Sequence, residues 1–247
     1  MKNYITNALK GIGIILFYFF FSGLLLIFLN YLNIKPAEFS RINKVIYLLA
    51  ESIFMLFIMI LVYYKEIKKE FKDFKENFIK YFNEYKGYWP TMIFLMILAN
   101  LFISFFTTDI SSNEESIRTI LHSGIPGFIY MCISCPLIAP LMEELVFRKS
   151  IKKIVPQKYL FILVSGLFFG SMHVIGQTEH LVEYLHIISY SIPGLVLATA
   201  YQKSDNIFVS TSIHFFHNTI LLIMQILFMI GGVIWQKERK KKIKFQW

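Results

Sequence analysis

The sequence predicts an all-α polytopic membrane protein with six to eight transmembrane helices enclosing an intramembrane cavity. Three observations carry that prediction. Hydrophobic residues make up 56% of the 247 residues and the mean hydropathy is +0.56, outside the soluble globular range. Seven apolar runs, at 11–32, 45–64, 89–106, 124–142, 159–175, 185–201 and 207–235, suit a hydrocarbon core about 30 Å thick. Ionisable residues recur within and beside the later runs, where each costs roughly 2.5–3.5 kcal/mol against lipid and is therefore expected to line a protein-enclosed space.

The first run follows Lys2 and Lys10 but is too long for a signal-peptide core and has no A-x-A-like cleavage site after it, so it is expected to remain as an anchor. The second leads into 65–88, where Lys65, Lys68, Lys69, Lys72, Lys75, Lys80 and Lys86 interleave with Phe71, Phe74, Phe78, Ile79 and Phe82. The aromatic residues repeat every three to four positions, which favours an amphipathic helix on an anionic membrane surface over a solvated linker. The third run precedes an acidic loop at 107–123, with Asp109, Glu114 and Glu115 against Arg118. The fourth carries Pro126, Pro136, Pro140 and a single C-x-x-C, Cys132 and Cys135, read as buried inert thiols for want of a second pair.

The net charge of +9 does not mark a nucleic-acid binder, because the basic residues flank apolar runs and no such motif is present. By the positive-inside rule, 65–88 and 148–158 (Arg148, Lys149, Lys152, Lys153, Lys158) face the cytoplasm, and 107–123 and 176–184 face away. Seven spans would then put the basic tail, Lys237 to Lys244, with the acidic loops. One segment is therefore expected to be miscounted: either 207–235 breaks near Ser210–Ser212, or the Pro-rich 126–140 is re-entrant or split.

Three polar clusters remain. Glu143, Glu144 and Arg148 follow the prolines, and a helix would put Glu144 and Arg148 on one face, leaving Glu143 about 100° away and free for chemistry. His173 ends a stretch with no other ionisable residue. His214 and Asn218, four apart, can aim two donors at one oxyanion, with His217 treated as a bystander. Each has an ordinary explanation: glutamates meeting a basic interface, a packed histidine, a polar helix face. Three such clusters in one half of the chain supply a base, an imidazole and oxyanion donors together. A further set, Glu179, His180, Glu183 and His186, has metal-like spacing but reads as a solvated loop.

The pattern E-E-x-x-x-R (Glu143, Glu144, Arg148), F-x-x-x-H (Phe169, His173) and H-x-x-x-N (His214, Asn218) resembles the intramembrane endopeptidases grouped as CAAX-prenyl proteases and bacteriocin-processing proteins (CPBP), over roughly 125–235. With no internal repeat, low-complexity linker or second domain visible, the chain is read as a single membrane domain over 1–247, with accessory helices at 1–123 and a basic tail at 236–247, and the resemblance makes 124–235 its catalytic core. The resemblance also implies a catalytic cavity opening toward the cytoplasm. Glu143 with His173 would activate water, His214 and Asn218 would hold the oxyanion, and Glu144 and Arg148 would support the site. In the older metalloprotease version of the family, Glu143, His173 and His214 would bind a divalent metal such as Zn2+. The chain has no H-E-x-x-H, and the metal-free mechanism is the one expected.

Gly170-Ser171-Met172-His173 imitates a serine rhomboid poorly, and Asp109 and Asp205 both read as loop residues rather than an aspartyl pair. The expected function is hydrolysis of a membrane-associated peptide or precursor, in bacteriocin or signalling-peptide processing or self-immunity, in a bacterial plasma membrane. The alternative is a non-catalytic immunity or scaffold protein that binds a peptide or partner. A transporter would predict inverted repeats, and none is visible.

Overall fold

The computed structural model describes the backbone of residues 2–178 and 180–244 and the side chains of 4–178 and 180–231. The described residues form helices and no strand: α1 (Lys2–Tyr31), α2 (Arg41–Glu76), α3 (Phe78–Tyr85), α4 (Tyr88–Ile103), α5 (Ser112–His122), α6 (Ile125–Ile133), α7 (Ala139–Glu143), α8 (Ile151–Ile154), α9 (Lys158–Met172), α10 (His186–Ser204) and α11 (Ile207–Lys244). Helix starts and stops follow local chemistry. Ser40 caps α2 by accepting from the Asn43 amide, Ser111 caps α5 by accepting from that of Glu114, and Asp205 ends α10 in the left-handed region at φ 50°.

Among the described residues six helical stretches are long and apolar enough to cross a bilayer: Tyr4–Tyr31, Arg41–Glu76, Phe78–Ile103, Ile125–Ile154, Leu181–Ser204 and Ile207–Gly231. The segment 65–88, read from sequence as an amphipathic helix between spans, is helical but continuous with its neighbours: it is the end of α2, then α3 and the start of α4. It leaves Phe71, Phe78, Ile79 and Phe82 exposed.

The rod from Ile125 to Ile154 includes two π-helical turns, Ser134–Ile138 and Glu144–Ser150. Pro136 and Pro140 lack the N–H that an α ladder needs. The Ala139 amide reaches back five residues to Ser134, which leaves the Cys135 carbonyl without its usual helical donor.

Ion pairs and hydrogen bonds define the two ends of the bundle. At the basic end, Lys149 meets Glu70 and lies 3.6 Å from Glu66, Lys10 and Lys153 each lie 3.0 Å from Glu66, and Asn206 donates to Asp73 at 2.9 Å. At the opposite end Arg41 donates to the Ser123 carbonyl, the Ser112 hydroxyl to Glu183 at 2.6 Å, and Gln225 to Glu114. The run at 207–235 is unbroken, and 126–140 continues through its π turn rather than re-entering, so neither expected miscount occurs. The short segment is α9, whose 15 residues extend about 22 Å. It starts beside the basic end, and α10 and α11 each pass between the ends. The tail helix continues past the acidic-loop end to Lys244, and the side chains of Lys237 to Lys244 lie outside the described residues.

Small residues let α9 and α10 cross closely. A Cβ on Gly194 would sit 2.5 Å from the Gly166 carbonyl oxygen, and one on Gly170 would sit 2.6 Å from the Ser191 amide nitrogen. Both obstacles are backbone, so no rotamer change relieves them. Gly194→Leu is therefore expected to cost about 1–3 kcal/mol or more, read as a lowered unfolding temperature in detergent.

Candidate active site

The π turn at Glu144–Ser150 is the most buried stretch among the described residues, with Glu144, Val146, Phe147, Arg148 and Ser150 all at 0% exposure. Tyr63 fixes it from α2 through a 2.8 Å hydrogen bond to the Ser150 hydroxyl, and Ser165 from α9 donates to the Phe147 carbonyl at 2.6 Å. The Arg148 Nε lies 3.3 Å from Glu144 Oε2, and its guanidinium stacks 4.7 Å over the Phe169 ring. The other Glu144 oxygen accepts from His214 Nδ1 at 3.0 Å. His214 Nε2 then lies 3.6 Å from Glu143 Oε2, an oxygen that is buried without a hydrogen-bond partner.

His173 ends α9 with its ring stacked on Tyr190 at 5.0 Å and 14°, and its Nδ1 lies 2.9 Å from the Phe169 carbonyl. A carbonyl only accepts, so Nδ1 carries the proton and the neutral ring presents a lone pair at Nε2. Tyr190 is held by Ser111 at 2.7 Å and Asn113 at 3.2 Å, both from the start of α5. Asn218 donates to the Cys135 carbonyl at 2.9 Å, the acceptor that the first π turn leaves open.

Glu143, His173, His214 and Asn218 all line one cavity of about 300 Å³, while Glu144 and Arg148 pack behind it. The six residues singled out from sequence are thus brought together, four at the cavity wall and two in support. The cavity runs toward Asn113, Glu114 and Gln225 at the acidic-loop end. No opening is seen at the basic end, the end expected to face the cytoplasm, because Glu144, Arg148 and Lys149 fill that side at 0–2% exposure.

Other expectations change. His217, treated as a bystander from sequence, is buried at the cavity wall with Nδ1 unpartnered. Cys135 and Cys132 are free thiols, partly rather than fully buried, and Cys135 reaches the cavity. Of the set read as a solvated loop, Glu183 and His186 are buried, Glu183 binding the Ser112 amide and hydroxyl; Glu179 lies outside the described residues. Tyr190 carried no signal in sequence beyond being a tyrosine in an apolar run. Among the described residues no three His, Cys, Asp or Glu side chains converge as a metal-holding group, while His214 and His173 each commit only Nδ1 to a protein acceptor and keep Nε2 without one.

The helices and site together define a multi-pass integral membrane protein whose carboxylates and imidazoles are gathered around an internal cavity. The family model for type II CAAX prenyl endopeptidase Rce1-like proteins matches residues 125–220, a similarity that supports the CPBP resemblance of this segment. The chain is 28% identical over 127 residues to "Putative membrane peptidase YdiL" of Bacillus subtilis, covering 50% of this chain and 48% of that one. It is 28% identical over 198 residues to an "Uncharacterized protein" of Mycoplasma capricolum (72% and 54%), and 30% identical over 149 residues to "UPF0177 protein YvdC" of Lactococcus lactis (56% and 54%). The chain thus spans about half the length of these curated relatives. No solved structure matches it. The bacterial relatives and the six long apolar helices agree with a place in a bacterial plasma membrane.

Proposed function

We propose that the protein is an intramembrane endopeptidase that hydrolyses a peptide bond in a membrane-associated peptide or precursor by Glu143-activated water. The observation that carries this reading is the Glu143 carboxylate, buried with one oxygen unpartnered at the wall of a cavity it shares with His173, His214 and Asn218. Water held by Glu143 and the His173 Nε2 lone pair would attack the scissile carbonyl carbon. Its proton would go to Glu143 and then to the departing amine nitrogen as the C–N bond breaks. The tetrahedral oxyanion would accept from the second Asn218 N–H and from His214 Nε2. Because Nδ1 is committed to Glu144, donation from Nε2 requires the doubly protonated ring. Bacteriocin or signalling-peptide processing and self-immunity are the settings proposed for such a peptidase.

The reaction is proposed to need no metal. Purified protein should cleave peptides from a panel of membrane-active precursors, and cleavage should survive a strong chelator. Loss on chelation with rescue by Zn2+ would instead place Glu143, His173 and His214 around a metal. No cleavage, with a protective phenotype that persists in Glu143→Ala and His173→Ala at normal abundance, would favour a non-catalytic immunity or scaffold protein.

A further inference from the structure

A second intramembrane carboxylate, Glu51 on α2, plays no part in the proposed chemistry. It lines a groove of about 650 Å³ between α1 and α2, with Tyr18, Ser22, Tyr47 and Ser52 among its walls. The Tyr47 hydroxyl, one turn earlier, interacts with the Glu51 carboxylate, yet Glu51 Oε1 is buried with no hydrogen-bond partner, and no salt bridge joins Glu51 to a cation among the described residues. Glu51 lies ten residues into α2, about 15 Å along its axis. An acidic side chain at that depth costs stability unless it meets a partner, and such residues mark ligand paths.

The groove is placed to serve the cavity behind it. Its floor includes Met142 and Met172, the residues immediately before Glu143 and His173, and Tyr130 lines both the groove and the cavity. A peptide lying in the groove would therefore touch Tyr130, which also faces the cavity, and Met142 and Met172, each one residue from Glu143 and His173.

We infer that this groove is a substrate subsite in which Glu51 pairs with a cationic side chain, lysine or arginine, of an otherwise apolar peptide, with Tyr130 standing between subsite and catalytic cavity. The apolar walls take the hydrophobic residues of the peptide. The unpaired carboxylate supplies the charge complement that an uncharged peptide would leave buried and unsatisfied. This assignment of substrate class rests on the peptidase reading but is measured by binding rather than cleavage.

The test uses full-length Glu143→Gln protein in nanodiscs and two fluorescent Leu/Ala-rich peptides about 20 residues long, one with a single central lysine and the other with norleucine in its place. The lysine peptide is expected to bind roughly tenfold tighter or more. Glu51→Gln should remove that preference without changing norleucine-peptide affinity, which also reports that the variant is folded. Glu51→Asp, retaining the charge, should keep most of the preference. Equal affinity for the two peptides, or a preference that survives Glu51→Gln, would overturn the subsite. Preserved preference in a protein whose wild type cleaves neither peptide nor any precursor would overturn the peptidase reading and leave the subsite standing.

Discussion

Glu143→Gln should lower kcat for peptide cleavage by about 10²–10⁴, the range for loss of a positioned general base, while KM changes little. Glutamine is nearly isosteric and can still accept from a neighbour, but it cannot take the proton from water. Glu143 Oε2 has no hydrogen-bond partner to lose, so unfolding temperature and membrane abundance should match wild type. A kcat that falls together with abundance would instead assign Glu143 a structural role.

The largest effect on stability is expected at Arg148. Its guanidinium is fully buried between Glu144 and the Phe169 ring, so Arg148→Met leaves the Glu144 carboxylate at 0% exposure without its guanidinium partner, held by His214 Nδ1 alone. Such one-sided removals cost about 3–5 kcal/mol, whereas replacing both partners is often near neutral. Arg148→Met should therefore sharply lower the unfolding temperature, and Arg148→Met with Glu144→Gln should recover much of it. Activity should not return with stability, because the double variant no longer offers His214 Nδ1 a charged acceptor. If the double variant is as unstable as the single, the buried pair is not the source of the loss.

Much of this site was readable from residue order. The apolar runs announced the helices, and the i,i+4 relation of Glu144 to Arg148 survives even though the turn is π-helical, because the backbone lengthens the ring without rotating the pair apart. What sequence spacing could not supply is contact between distant segments. The Glu144–His214 bond spans 70 positions, and the stacking of Tyr190 on His173 joins α10 to the end of α9. Asn218 looked like a free oxyanion donor because nothing in its neighbourhood shows that the prolines near Cys135 displace a helical hydrogen bond and leave a carbonyl for it. The set at 180–186 was misread for a related reason. Polar loop composition suggested solvent, but Glu183 is turned inward by Ser112, 71 positions away. The apolar character of 159–175 likewise announced a span without revealing that its helix stops at Met172, where His173 enters the cavity.

The most direct measurement is cleavage of membrane-active precursor peptides in water enriched in ¹⁸O, by detergent-purified wild type beside Glu143→Gln, with products read by mass spectrometry. Wild type is predicted to give fragments whose new carboxyl terminus carries one solvent-derived ¹⁸O, and the variant to give almost none. The same labelled fragments at the same rate from both proteins would contradict Glu143 as the base that activates water.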